Sequence, residues 1–138
     1  MAENLCQLKK KGGGNGKMSE TVLWTNPSPN AQQSNQTITL SKSVSNYDVI
    51  RIYYKGYYTN SSADVKYIDF PIDFVTQAYT TDGHLQMVVA EYDSNGYTQG
   101  RVVRYTNATQ FELTQSFQIG GTNRYNANNI ITKISGLK

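Results

Sequence analysis

Residues 47–55 read YDVIRIYYK, and this stretch decides the fold class. Ile50, Ile52 and Tyr54 fall on one side of a two-residue period, with Val49, Arg51 and Tyr53 on the other. Branched and aromatic side chains in that pattern suit the two faces of a pleated strand. Working outward, the same period recurs. Residues 36–41 (QTITLS) alternate with Ile38 and Leu40 on one face, and residues 20–25 (ETVLWT) form a strand stopped by Asn26-Pro27-Ser28-Pro29-Asn30. On the other side, Asn60-Ser61-Ser62 is a loop. Residues 65–70 then set Val65, Tyr67 and Asp69 against Lys66, Ile68 and Phe70. Pro71 has no N–H to give a ladder, which limits that strand to a sheet edge or to its own end.

Residues 84–93 (HLQMVVAEYD) fit a strand or a short helix. The Val88-Val89 pair and the Ser94-Asn95-Gly96 turn favour one arm of a hairpin, with residues 99–106 as the other arm. Residues 111–117 give a further strand, ended by Gly120-Gly121, and Ile130, Ile131 and Ile134 mark the last. No ten-residue stretch carries a helical stripe. About eight short strands at roughly ten-residue spacing predict an all-β fold, an antiparallel β-sandwich or jelly roll. It occupies residues 19–138, preceded by an extended arm at residues 1–18.

The arm differs from the body in charge. Lys9, Lys10, Lys11 and Lys17 stand against Glu3 alone, whereas nine basic and nine acidic residues share the remainder of the chain. The excess positive charge therefore belongs to the arm. Gly12–Gly14 and Gly16 make it flexible in isolation. Because glycines and not an apolar run follow the lysines, the pattern of a signal peptide is missing, and no segment reaches transmembrane length. The lone cysteine, Cys6, cannot form an internal disulfide.

Catalytic constellations are thin. His84 is the sole histidine, so one chain holds no zinc site built from His and Cys, and no nucleophile elbow accompanies it. It reads as a polar residue entering a strand. Asp69 with Asp73, and Glu91 with Asp93, are the candidate carboxylate pairs. Acids two apart on a strand sit roughly 7 Å from one another, within the glycosidase range, yet such pairs are common on solvated faces. Asp93-Ser94-Asn95-Gly96 lacks the ligand series of a calcium loop and reads as a turn. No glycine motif cradles a phosphate. The expectation is a non-enzymatic protein with no metal and no cofactor. The lysine triplet would attract phosphates, but with a neutral body nucleic acid is not the expected partner.

Eleven tyrosines, four phenylalanines and one tryptophan bias the aromatic set toward rings with a polar tip. Tyr53-Tyr54 and Tyr57-Tyr58 bracket Lys55-Gly56, and adjacent aromatics on an alternating strand cannot both face a core. Trp24, Tyr53, Tyr54, Tyr57 and Tyr58 are therefore the candidate surface for a glycan or a protein interface.

Four stretches occur together in order: residues 20–26 (ETVLWTN), 36–41 (QTITLS), 45–54 (SNYDVIRIYY) and 131–138 (ITKISGLK). In this the chain resembles surface modules of bacteriophage virions, of the tail-fibre, baseplate or head-decoration kind, from phages of Gram-positive bacteria. The resemblance implies a β-sandwich that assembles as a homo-oligomer or with other virion proteins of capsid or tail. It implies a virion location after synthesis in the host cytoplasm, and no catalytic residues. On this reading the arm is the anchor: Leu5 and Leu8 enter a groove, Lys9, Lys10 and Lys11 meet acidic partner residues, and the glycines act as a hinge. The sandwich then displays itself for assembly or host attachment. The other reading is a carbohydrate-binding module that recognises a host surface glycan through exposed Tyr and Trp.

Overall fold

A computed structural model describes residues 16–56, 65–77, 87–92, 98–119 and 129–138. The described strands are β1 (Glu20–Thr25), β2 (Gln36–Thr39), β3 (Val49–Gly56), β4 (Lys66–Pro71), β5 (Met87–Tyr92), β6 (Thr98–Asn107), β7 (Gln110–Ile119) and β8 (Asn129–Leu137). They form two four-stranded sheets, ordered β1-β8-β3-β4 and β2-β7-β6-β5, with antiparallel neighbours throughout. The sheets pack face to face as a β-sandwich, as the strand spacing predicts.

The two-residue period explains what is inside. Ile50, Ile52 and Tyr54 of β3 are buried, together with Ile131 and Ile134 of β8. Opposite them lie Ile38 of β2, Met87 and Val89 of β5, Val103 of β6, and Phe111 and Leu113 of β7. Each fully buried aliphatic or aromatic side chain contributes on the order of 1.5–3 kcal/mol. Tyr54 crosses the layer and donates its hydroxyl to the Ala90 carbonyl at 3.0 Å, tying the sheets together at a polar point. Pro71 ends β4, which is an edge strand, and β5 and β6 pair directly as the two arms of a hairpin.

One helix departs from the sequence expectation. The six residues of α1 (Ile72–Gln77) come directly after Pro71, and Phe74 stacks on Phe70 at 5.9 Å while Val75 is buried in the core. Ile72 N–H donates to the Asp48 carbonyl, fixing the helix where β3 begins. A helix of under two turns carries too few residues to show a stripe.

The sandwich has two distinct poles. At the first, Ser19 and Lys138 exchange backbone hydrogen bonds of 2.9 and 3.1 Å. The turn between β6 and β7, the 3-10 turn Val44–Asn46 and α1 lie at this pole as well. Asn107 shapes the β6–β7 turn by accepting the Thr109 N–H at 2.9 Å. At the second pole β3, β5 and β7 end and β4, β6 and β8 begin, since Gly56 pairs with Asn129, and Tyr92 and Ile119 both pair with Thr98. The β1–β2 connection also reaches this pole. Asn26 Nδ2 and Gln33 Nε2 donate to the Ile131 carbonyl, and Gln33 Oε1 accepts the Ile131 N–H at 2.8 Å.

Candidate functional site

The most organised surface lies on the outer face of the β1-β8-β3-β4 sheet. With Ile50, Ile52 and Tyr54 turned inward, Arg51 and Tyr53 must point outward. The register sets Asp69 and Ser135 beside Arg51, and Tyr67 and Lys133 beside Tyr53. Arg51 grips Asp69 through two parallel hydrogen bonds, Nε to Oδ1 at 2.7 Å and Nη2 to Oδ2 at 2.9 Å. Its guanidinium carbon lies 4.0 Å from the Tyr67 ring centroid, and Lys133 Nζ is equally close to that of Tyr53. The two rings meet at 5.6 Å with a 54° tilt. Tyr53 donates its hydroxyl to Glu20 Oε1 at 2.5 Å, and Arg51 Nη1 is 4.0 Å from Glu20 Oε2.

These contacts set the electrostatics. Burial tends to raise the Glu20 pKa, but the Tyr53 hydroxyl and the positive charges of Lys133 and Arg51 outweigh it and hold the carboxylate below its usual range. Burial and the Glu20 hydrogen bond push the Tyr53 hydroxyl up. The hydrogen bonds to Asp69 push the Arg51 guanidinium up as well. Two cations and two carboxylates thus compensate one another beneath two tyrosine rings. Tyr67 is 55% exposed, and Val22 and Ile68 lie open on the same sheet. Among the described residues both carboxylates of this face are committed, Asp69 to Arg51 and Glu20 to Tyr53. The face offers rigid rings and cation–π pairs, which suit stacking on a flat partner.

The structure divides the aromatic set expected from the sequence. Tyr53 stands on this face. Tyr54 is a correction: it is buried in the core, with its hydroxyl spent on Ala90. Trp24 is half-buried. A β-bulge between Val22 and Trp24 sets Trp24 opposite the inward-facing Ile134, and the indole packs against the core, away from Tyr53. Tyr57 and Tyr58 lie outside the described residues, as do Leu5, Leu8, Lys9, Lys10 and Lys11 of the arm. Asp69 gives both oxygens to Arg51, whereas Asp73 sits exposed in the first turn of α1. His84, Asp93 and the side chain of Glu91 fall outside the described residues. Glu20, Arg51, Tyr67 and Lys133 were not singled out by the sequence; the Arg51/Tyr53 and Tyr67/Asp69 alternations were the available signal.

Among the described residues no three His, Cys, Asp or Glu side chains come together to hold a metal, and no helix is long and apolar enough to cross a membrane. Compared with models of known protein families and with curated proteins, the chain matches none.

Proposed function

We propose that the chain is a non-enzymatic structural module of a bacteriophage particle, of the tail-fibre, baseplate or head-decoration kind. It docks on other virion proteins through residues 1–18 and displays its β-sandwich for assembly, as a homo-oligomer, or for host attachment. The observation that supports this reading most is the polarity of the sandwich. The arm enters β1 beside the C-terminus at one pole, while the connections between β3 and β4, β5 and β6, and β7 and β8 leave from the other. Such a module can be held at one end and presented at the other. Ser19 closes the first pole against Lys138 through two backbone hydrogen bonds. Deleting residues 1–17 is expected to leave thermal unfolding unchanged and to abolish incorporation into particles. Normal incorporation of the deletion variant would refute the anchoring role.

A second reading, a carbohydrate-binding module, is favoured by the Tyr53–Tyr67 pair with its flanking cations. Binding on a glycan array that is lost in Tyr67→Ala, with folding intact, would support it, and an empty array would remove it.

A further inference from the structure

The chain holds two arginines whose surroundings can be compared directly. Arg51 presents its Nε and Nη2 edge to the two oxygens of Asp69. Arg101, in β6 opposite Val89 of β5, is only 1% exposed. Its Nη1 donates to the Gln33 carbonyl at 2.6 Å and its Nη2 to Asn35 Oδ1 at 3.1 Å. Its Nε finds no partner, and among the described residues no carboxylate pairs with it. The edge that holds a carboxylate on Arg51 holds one amide oxygen on Arg101. The same β1–β2 connection also supplies a neutral acceptor, Asn30 Oδ1, to the buried Lys55. Among the described residues, two cations therefore lie inside this pole against uncharged oxygens.

A buried guanidinium with an unused N–H is costly, and such a group calls for an explanation such as a bound ion. We infer that the Nε and Nη2 edge of Arg101 is a receptor for a carboxylate, with Asn35 as its cover. Asn35 is exposed, so its amide stands between the guanidinium and solvent. An entering carboxylate displaces that amide, takes the Nη2 hydrogen bond with one oxygen and accepts from the unpaired Nε–H with the other. Planar bidentate pairing is the geometry for which arginine is suited, and a carboxylate adds ionic attraction and a second hydrogen bond to the single bond from an amide oxygen that it replaces. This inference depends neither on the virion reading nor on the glycan reading of the tyrosine face.

The test uses the full chain labelled with 15N-arginine, which reports on the Nε–H groups of its four arginines, Arg51, Arg101, Arg104 and Arg124. Arg101→Lys identifies the Arg101 signal by its loss, and Asn35→Asp identifies it independently by its displacement. Sodium acetate and sodium glucuronate are titrated against sodium chloride at matched ionic strength, with glucose as the uncharged sugar. The Arg101 signal is expected to move saturably with the carboxylates and to stay in place with chloride and glucose. Saturation by acetate identifies any small carboxylate as sufficient, while saturation by glucuronate alone identifies a sugar acid. Asn35→Asp places a carboxylate on the edge from within the chain. It should raise the thermal midpoint by roughly 3–6 °C and abolish the response to added carboxylate. An Arg101 signal that ignores both carboxylates, or moves with chloride equally, overturns the inference, as does an Asn35→Asp variant that melts no higher than the parent.

Discussion

Gly136 lies in β8 between Thr21 of β1 and Ile50 of β3, and its absent side chain makes room for the ring of Tyr47. A Cβ built there would stand 2.6 Å from both ring δ carbons, well inside van der Waals contact. The β8 backbone cannot yield cheaply, because it is hydrogen-bonded on both sides. Tyr47 is itself a buried member of the core. If the ring stays, overpacking costs about 1–3 kcal/mol. If it swings out, the lost burial costs about 1.5–3 kcal/mol. Restricting the unfolded chain returns about 0.4–1 kcal/mol. Gly136→Ala should therefore destabilise by about 1.5 kcal/mol, lowering the midpoint by roughly 4–9 °C. Urea unfolding monitored by circular dichroism measures it. Tyr47→Ala removes the ring, and in that background the Gly136→Ala penalty should vanish, a coupling read from the double-mutant cycle. A penalty below about 0.5 kcal/mol in the parent, or one undiminished without the ring, would show that Gly136 is not making room for Tyr47.

The same geometry sets three further outcomes. Glu20 has a folded pKa held below the ordinary 4.5, so it contributes stability above that pH, which is lost as pH falls through the folded value. Between those limits Glu20→Gln should flatten the acid limb of the stability profile, and an unchanged limb would count against the Tyr53–Glu20 pairing. Tyr54→Phe removes the inter-sheet hydrogen bond to Ala90 and should cost about 0.5–1.5 kcal/mol in denaturant unfolding. Asp69→Asn breaks the charged grip on a partly buried Arg51 and should cost about 1–2 kcal/mol, with less loss at high salt.

The sandwich was legible because its strands alternate on a period that survives folding. Ile50, Ile52 and Tyr54 go inward in sequence and in structure alike, and Pro71 marks an edge for a reason that needs no partner. The setting of Trp24 was not legible because a bulge inserts one residue and re-aims the side chains beyond it, and nothing in ETVLWT announces it. The tyrosine face was half visible. Tyr53 showed itself as one of an adjacent pair, but its partners depend on register. Glu20 lies 33 residues away from Tyr53, and Asp69 lies 18 from Arg51.

Arg51 and Arg101 carry that point further. Each stands two residues from a β-branched or aromatic neighbour on its own strand, so pattern alone gives them equal standing. What separates them is the residue that the fold delivers to their Nε and Nη2 edge: an aspartate across a hairpin-like pairing in one case, an asparagine from a crossing connection in the other. Asparagine and aspartate differ in one terminal group and one charge. At an exposed position that difference is worth little, because water supplies what the side chain lacks. Beneath the surface water supplies less, and the missing oxygen leaves an N–H without an acceptor. The functional weight of Asn35 therefore comes from the buried guanidinium below it, which is why its place in an exposed, polar loop sequence conceals it.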